Sequence, residues 1–251
     1  MKNHLKEKLI AVIVLCVCIM LGMVYLVAFP KGTAAVPAST PTASAAETAV
    51  PTVMPTAVPT SAPIDTASDD SIYRLIDQEH TISADYVPAS LEQPDVASNH
   101  MQTVRSELVQ PLMDMFADAE SAGIDLKLVS GYRSYTEQTS LWYTYEERHG
   151  RSYAQRIDDH PGASEHQLGL AVDLGNADGK CELNACFASQ DAYAWLKENS
   201  YRYGFIERYP DGAEQITGIM YSPWHYRYVG TEEAEKIHGS GLTMDEYYLN
   251  S

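Results

Sequence analysis

Between Gly32 and Asp70 the chain has no aromatic residue and little charge, and prolines stand at 51, 55, 59 and 63. Proline lacks the amide hydrogen that helices and sheet ladders need, and it fixes one backbone angle, so a proline every four residues stops both. Residues 32–70 therefore read as a disordered Pro/Thr/Ser/Ala-rich spacer, extended and rich in polyproline II. Anything that folds around a core has to lie to one side of it.

The N-terminal side is a membrane candidate. From Leu9 to Phe29 there are 21 residues without a charge, mostly Val, Ile, Leu, Ala and Met. A helix of roughly 20 apolar residues matches the hydrocarbon thickness of a bilayer. A cleaved leader would have a shorter apolar run ending in a small-x-small site, whereas this run exits through Phe29, Pro30 and Lys31. Residues 1–31 thus read as a cytoplasmic stub and single-pass anchor. Lys2, Lys6 and Lys8 precede the run and only Lys31 follows closely, which places the N-terminus in the cytoplasm and the rest outside the cell. Cys16 and Cys18 fall inside the span and read as small apolar residues.

Residues 71–251 carry 13 Lys+Arg, 29 Asp+Glu and all three Trp, enough chain for one domain with a real core. That acidity makes nucleic acid a poor partner. Apolar residues at helical spacing (Val104, Leu108, Leu112, Met115, Phe116, Ala119) predict a helix from Val104 to Ala122 that ends at Gly123. Further helices are predicted over 134–145, 192–199 and 232–237, and strands over 126–129, 168–174 and 224–229. The mixture has no regular βαβ beat and no phosphate-binding glycine loop, so the class is α+β.

Two stretches hold metal-ligating residue types. His166 and Asp173 lie seven apart around Gly169, and His225 sits in the aromatic run Trp224-His225-Tyr226. Two imidazoles and a carboxylate suit Zn²⁺ with a fourth position for water. Seven extended residues would span more than ~20 Å, so the chain has to bend before Asp173 can join His166, and Gly169 permits it. By spacing alone, a core histidine bonded to a backbone carbonyl and a capping aspartate stay open. Cys181 and Cys186 enclose four residues, and outside the cell a local disulfide is the expected state. His100, His149, His160 and His238 have no ligand-like context.

The motifs carry more than spacing. They are Ser130-Gly131-Tyr132-Arg133-Ser134-Tyr135 with Gln138; Pro161-Gly162 and Ser164-Glu165-His166-Gln167 running to Gly169-Leu170-Ala171-Val172-Asp173; Tyr203-Gly204-Phe205-Ile206 with Arg208-Tyr209-Pro210; and Pro223-Trp224-His225-Tyr226-Arg227-Tyr228-Val229-Gly230. Together they resemble the VanY-like D-alanyl-D-alanine carboxypeptidases, zinc peptidases of the hedgehog/D,D-peptidase fold, in order and rough spacing from Ile72 to Leu249. The resemblance implies one zinc ion on His166, Asp173 and His225. It implies that Arg133 meets the substrate near the reacting centre, that Ser164 hydrogen-bonds substrate and that Trp224 walls the pocket, with Gln138 beside them. The implied partner is a peptidoglycan stem peptide or its lipid-linked precursor.

One position departs from the family. Three residues before the second zinc histidine the family carries a glutamate that takes a proton from the attacking water; here that position is Ser222. A serine hydroxyl does not titrate near neutrality. Three explanations follow: Glu165, Glu207 or Glu214 substitutes; the chain is a zinc-holding, wall-binding relative with little turnover; or the catalytic glutamate has been replaced in a variant. An L,D-carboxypeptidase or endopeptidase of the same fold is a nearer alternative.

Overall fold

The computed structural model describes residues 64–157 and 159–249; the expected anchor, and the spacer up to residue 63, lie outside them. Among the described residues no helix is long and apolar enough to cross a membrane. In chain order, a two-stranded ribbon of β1 (Leu91–Glu92) and β2 (Val104–Arg105) leads into α1 (Ser106–Ser121), β3 (Leu126–Ser130), α2 (Tyr135–His149) and α3 (Arg151–Ile157). Then come β4 (Ala171–Asn176), a 3-10 turn at Ala185–Ser189, α4 (Asp191–Asn199), a second 3-10 turn at Ser200–Tyr203, and β5 (Phe205–Glu207). The chain closes with α5 (Glu214–Thr217), β6 (His225–Tyr228), α6 (Thr231–Ser240) and α7 (Met244–Leu249).

The main sheet has the order β3-β4-β6-β5 with every neighbouring pair antiparallel. Helices and an antiparallel sheet without βαβ units make this the α+β architecture expected. Leu108, Leu112, Met115 and Ala119, from the predicted stripe of α1, are buried in one cluster with Leu128, Val172, Leu174, Phe205 and Tyr226 from the sheet and Leu170 just before it. Each Leu, Val, Met or Phe among them contributes about 1.5–3 kcal/mol on leaving water. The helix starts at Ser106 rather than Val104, because Val104 and Arg105 pair with Glu92 and Leu91 as strand.

Two expectations change. Residues 64–70, assigned to the spacer by composition, fold onto the domain: Tyr86 Oη donates to the Asp69 carbonyl at 3.1 Å, and Arg105 donates to the Asp70 carbonyl at 2.9 Å. Their short polar side chains cap local turns, as Asp65 does for the amides of Ala67 and Ser68. The strand expected from Leu168 begins only at Ala171. Before it, Ser164–Gly169 winds through consecutive turns in which the amides of Gln167, Leu168 and Gly169 donate to the carbonyls of Ser164, Glu165 and His166 at 3.0, 3.2 and 3.1 Å.

Gly169 closes those turns with φ +66°, and a Cβ there would stand 3.0 Å from Arg105 Cγ and 3.2 Å from Leu91 Cδ2. The required bend is therefore made where backbone geometry and space both select glycine. Gly169→Ala is expected to cost about 1–3 kcal/mol, read as a lower urea midpoint at unchanged slope; an unaltered midpoint would show that the turn tolerates a side chain.

Candidate active site

The register of the sheet assembles the site. Ser130 on β3 pairs with Asp173 on β4, and Asp173 pairs with His225 on β6, so three adjacent strands bring these residues into one row. His166 reaches the row from the turn before β4, which is tied to the segment after β3 by the Arg133 amide donating to the His166 carbonyl at 3.1 Å.

Each imidazole is aimed by a second partner. His166 Nδ1 lies 2.7 Å from the Gly131 carbonyl and acts as donor there, which turns Nε2 toward Asp173 Oδ2 at 3.3 Å. Gly131 itself has no room for a side chain, since a Cβ would fall 2.4 Å from the Thr103 carbonyl. His225 Nε2 lies 3.2 Å from Glu165 Oε2, leaving Nδ1 toward Asp173 Oδ1 at 3.4 Å. One ligand atom from each of His166, Asp173 and His225 lies within 4.8 Å of the others, and all three residues are buried. Asp173 Oδ1 is buried without a well-formed hydrogen bond, despite its nearness to His225. A buried orphan carboxylate oxygen beside two oriented imidazole nitrogens is the donor set that a zinc ion satisfies, and carboxylate and carbonyl partners on the far ring nitrogens are the usual support for it. The residues fit zinc.

Charge in the cluster is unevenly divided. Burial opposes ionisation of Asp173, yet His166 and His225 hold its carboxyl well below the usual range. Burial also opposes ionisation of Glu165, but Arg208 and Arg227 outweigh it and keep it ionised. Of the two imidazoles, His166 is pushed down by burial, with Arg133 adding to the effect. Burial pushes His225 down as well, but the neighbouring Asp173 and Glu165 carboxylates dominate and lift it to about 9.

These groups border a cavity of about 500 Å³, within the usual range for small-ligand sites. Arg133, Ser164, Ser222 and Trp224 line it together with the three ligand candidates. The Arg133 guanidinium donates to Gln138 Oε1 at 2.6 Å and Ser130 Oγ at 3.4 Å, and stands 3.9 Å from Asp173 Oδ2. Gln138 is fully buried off the cavity wall, donating to the Asp159 carbonyl at 2.6 Å, so it steadies Arg133 rather than facing a ligand. The Ser134–Glu137 capping box starts α2 directly after Arg133 and fixes the backbone there. Cys181 and Cys186 are joined as a disulfide.

None of the three glutamates offered as a substitute base lines the cavity. Glu165 is spent on Arg208, Arg227 and His225. Glu207 accepts from Tyr193 Oη at 3.2 Å, and Glu214 is paired with Arg156. Among the described residues, the carboxylate on the wall besides Asp173 is Asp159, which accepts from Tyr209 Oη at 3.0 Å. Sequence reasoning passed over it, and also over His149, which lines the same cavity next to Tyr153. Arg227 was not singled out either, although its place on the face of β6 that carries His225, two residues earlier, was a signal for it.

In the metal-free protein the raised pKa of His225 stabilises the fold fully below the ordinary value near 6.5, and that contribution is lost as pH rises through about 9. A cation bound at His225 Nδ1 competes with that proton. Apparent zinc affinity is therefore expected to rise roughly tenfold per pH unit from pH 6.5 to 9, measured by competition with a chromophoric chelator; a flat profile would mean that His225 is not a ligand.

Residues 101–231 match the family model for VanY, D-alanyl-D-alanine carboxypeptidase. The D-alanyl-D-alanine carboxypeptidase of Enterococcus faecalis (strain ATCC 700802 / V583) is 37% identical over 183 residues, which is 69% of this chain and 64% of that protein's own length. Among solved structures, the LdcB LD-carboxypeptidase superposes with a TM-score of 0.68 at 37% identity, covering 72% of this chain and 86% of the other. VanYB in complex with D-alanine-D-alanine gives 0.61 at 36% identity, covering 71% and 97%. A glutamate-to-alanine mutant of the D,D-pentapeptidase VanY from a VanB-type resistance cassette, in complex with Zn(II), gives 0.60 at 36% identity, covering 70% and 98%. With the family model spanning more than half of its residues, this chain belongs to the VanY D-alanyl-D-alanine carboxypeptidase family.

Proposed function

We propose that this protein is a membrane-anchored, extracellular zinc carboxypeptidase that removes the terminal D-alanine from peptidoglycan stem peptides or their lipid-linked precursors. The observation that carries the reading is the convergence of His166 Nε2, the Asp173 carboxylate and His225 Nδ1 beside Arg133 in one cavity. Zinc held there supplies a Lewis acid that polarises a peptide carbonyl and acidifies water. Arg133, steadied by Gln138 and Ser130, offers a planar fork of donors to the substrate's terminal carboxylate, the group that separates a chain-end substrate from an internal peptide bond. Ser164 and Trp224 border the same space and orient the peptide. The apolar run Leu9–Phe29 and the proline-rich spacer support the tethered location.

Hydrolysis adds water to the carbonyl carbon and breaks the C–N bond, so one proton has to travel from the water to the departing amine. Ser222 cannot carry it: its hydroxyl does not titrate near neutrality and donates to the Met220 carbonyl at 3.0 Å. In the catalytic reading Asp159 takes that proton and returns it to the amine of D-alanine. The second reading, a zinc-holding module that binds wall peptide with little turnover, rests on Ser222 itself.

The full chain is expected to bind about one zinc and to release D-alanine from a stem pentapeptide, with a tetrapeptide assayed alongside to distinguish L,D-cleavage. His166→Ala or His225→Ala should abolish zinc binding, and retained zinc in either would overturn the ligand assignment. With Asp159 as base, Asp159→Asn lowers kcat by roughly 10²–10⁴-fold at unchanged zinc content. If Asp159→Asn changes nothing while Ser222→Glu raises turnover by a similar factor, the unmodified chain lacks a base and the binding module is the better description.

A further inference from the structure

The loop closed by Cys181 and Cys186 is not used by the metal cluster, yet its tip borders the cavity: Leu183, Asn184 and Ala185 lie on the wall shared with Val129, Ser130 and Trp224. Two of its residues hold backbone angles that side-chain-bearing residues avoid, Cys181 at φ +59° and Leu183 at φ +48°. For a leucine this left-handed conformation persists only when the surroundings impose it. Three ties impose it here. The disulfide joins the two ends, with Cα atoms 5.5 Å apart. Glu182 is gripped by Lys127 Nζ at 2.6 Å and Asn99 Nδ2 at 2.8 Å. Phe187, just past the second cysteine, is fully buried in the main core.

The product of this bracing is a large aliphatic side chain, 44% exposed, presented at the mouth of a cavity that holds a metal-ligand cluster and an arginine. A lone exposed leucine is ordinary on a surface. One held in a strained conformation by three separate anchors, over a polar site, has a recognition geometry.

We propose that the Cys181–Cys186 loop is a substrate-recognition wall, in which Leu183 packs against an aliphatic side chain of the bound peptide and the disulfide keeps it in place. This rests on the peptidase reading of the site and adds to it the surface that selects the substrate's side chains. Cys186 is exposed, so a reductant reaches the bond and peptide binding becomes dependent on an oxidising compartment.

The test measures binding of Nα-acetyl-L-lysyl-D-alanyl-D-alanine to the zinc-loaded full chain by titration calorimetry, with KM recorded where turnover permits, and zinc content measured for every variant. Leu183→Ala, which keeps the disulfide, should weaken binding about five- to thirtyfold and should weaken it less when glycine replaces the lysine. The Cys181→Ser/Cys186→Ser double variant, and the unmodified chain after reduction, should lose roughly tenfold with zinc retained. If the unmodified chain binds the peptide and all of these bind it equally well, the wall assignment is overturned and the peptidase reading stands. If the unmodified zinc-loaded chain does not bind the peptide, the peptidase reading falls and takes this assignment with it.

Discussion

A carboxylate with no contact with water, Glu165, accepts hydrogen bonds from Arg208 Nε at 2.8 Å and Arg227 at 2.9 Å through one oxygen, and meets His225 Nε2 through the other. Both arginines are themselves buried, and each reaches further. Arg208 pairs with Asp245 in α7, while Arg227 donates to the carbonyls of Ile72 and Arg74 in the N-terminal segment. One side chain thus ties the turn before β4, the strand β6, the C-terminal helix and the segment around Ile72–Arg74 to a common point. Removing one partner of a buried ionic cluster typically costs about 3–5 kcal/mol, because the others stay charged and dry. That is a large part of the roughly 5–15 kcal/mol by which a domain is stable.

The same cluster sets the chemistry of the site. Two imidazoles face one carboxylate, but only His225 has a second carboxylate behind it, while Arg133 stands at the Asp173 oxygen that faces His166. Hence the surroundings favour the charged form of His225 and disfavour that of His166, and a cation held between the three residues would compete with the extra proton of His225. With 29 acids against 13 cations in residues 71–251, a cation held there would join Arg133 as a positive centre in an acidic domain, and an anionic chain end would be drawn to that site rather than to the surface at large.

What the sequence made legible follows the range of the interactions involved. The helix over 106–121, the β3 and β6 strands, the bend at Gly169 and the Cys181–Cys186 pairing are dictated by residues close along the chain, and periodicity or spacing revealed them. The strands β1, β2 and β5 are two or three residues long and carry no period to detect. Asp159 was an ordinary acid on paper and Glu165 was read only as a motif residue and candidate base, because their structural roles depend on Tyr209, Arg208 and Arg227, 43 to 62 residues away. Residues 64–70 read as spacer by composition because the contacts that order them, to Tyr86 and Arg105, come from elsewhere in the chain.

Ser222 is where local and distant constraints separate. Its amide donates to the Tyr209 carbonyl at 3.0 Å, and its own carbonyl accepts from the His225 amide at 3.0 Å, so the turn that delivers His225 to the cluster is built from backbone at this position. The side chain adds one bond, to the Met220 carbonyl. A serine at 222 therefore leaves ligand geometry and metal holding to the backbone, while removing the titratable group from the wall. Holding a cation and binding a chain end can persist through that exchange, because both depend on His166, Asp173, His225 and Arg133, none of which relies on the side chain at 222. Proton transfer is the one function exposed to it, and Asp159, which accepts from Tyr209 beside His225, is the cavity carboxylate to which the catalytic reading assigns it.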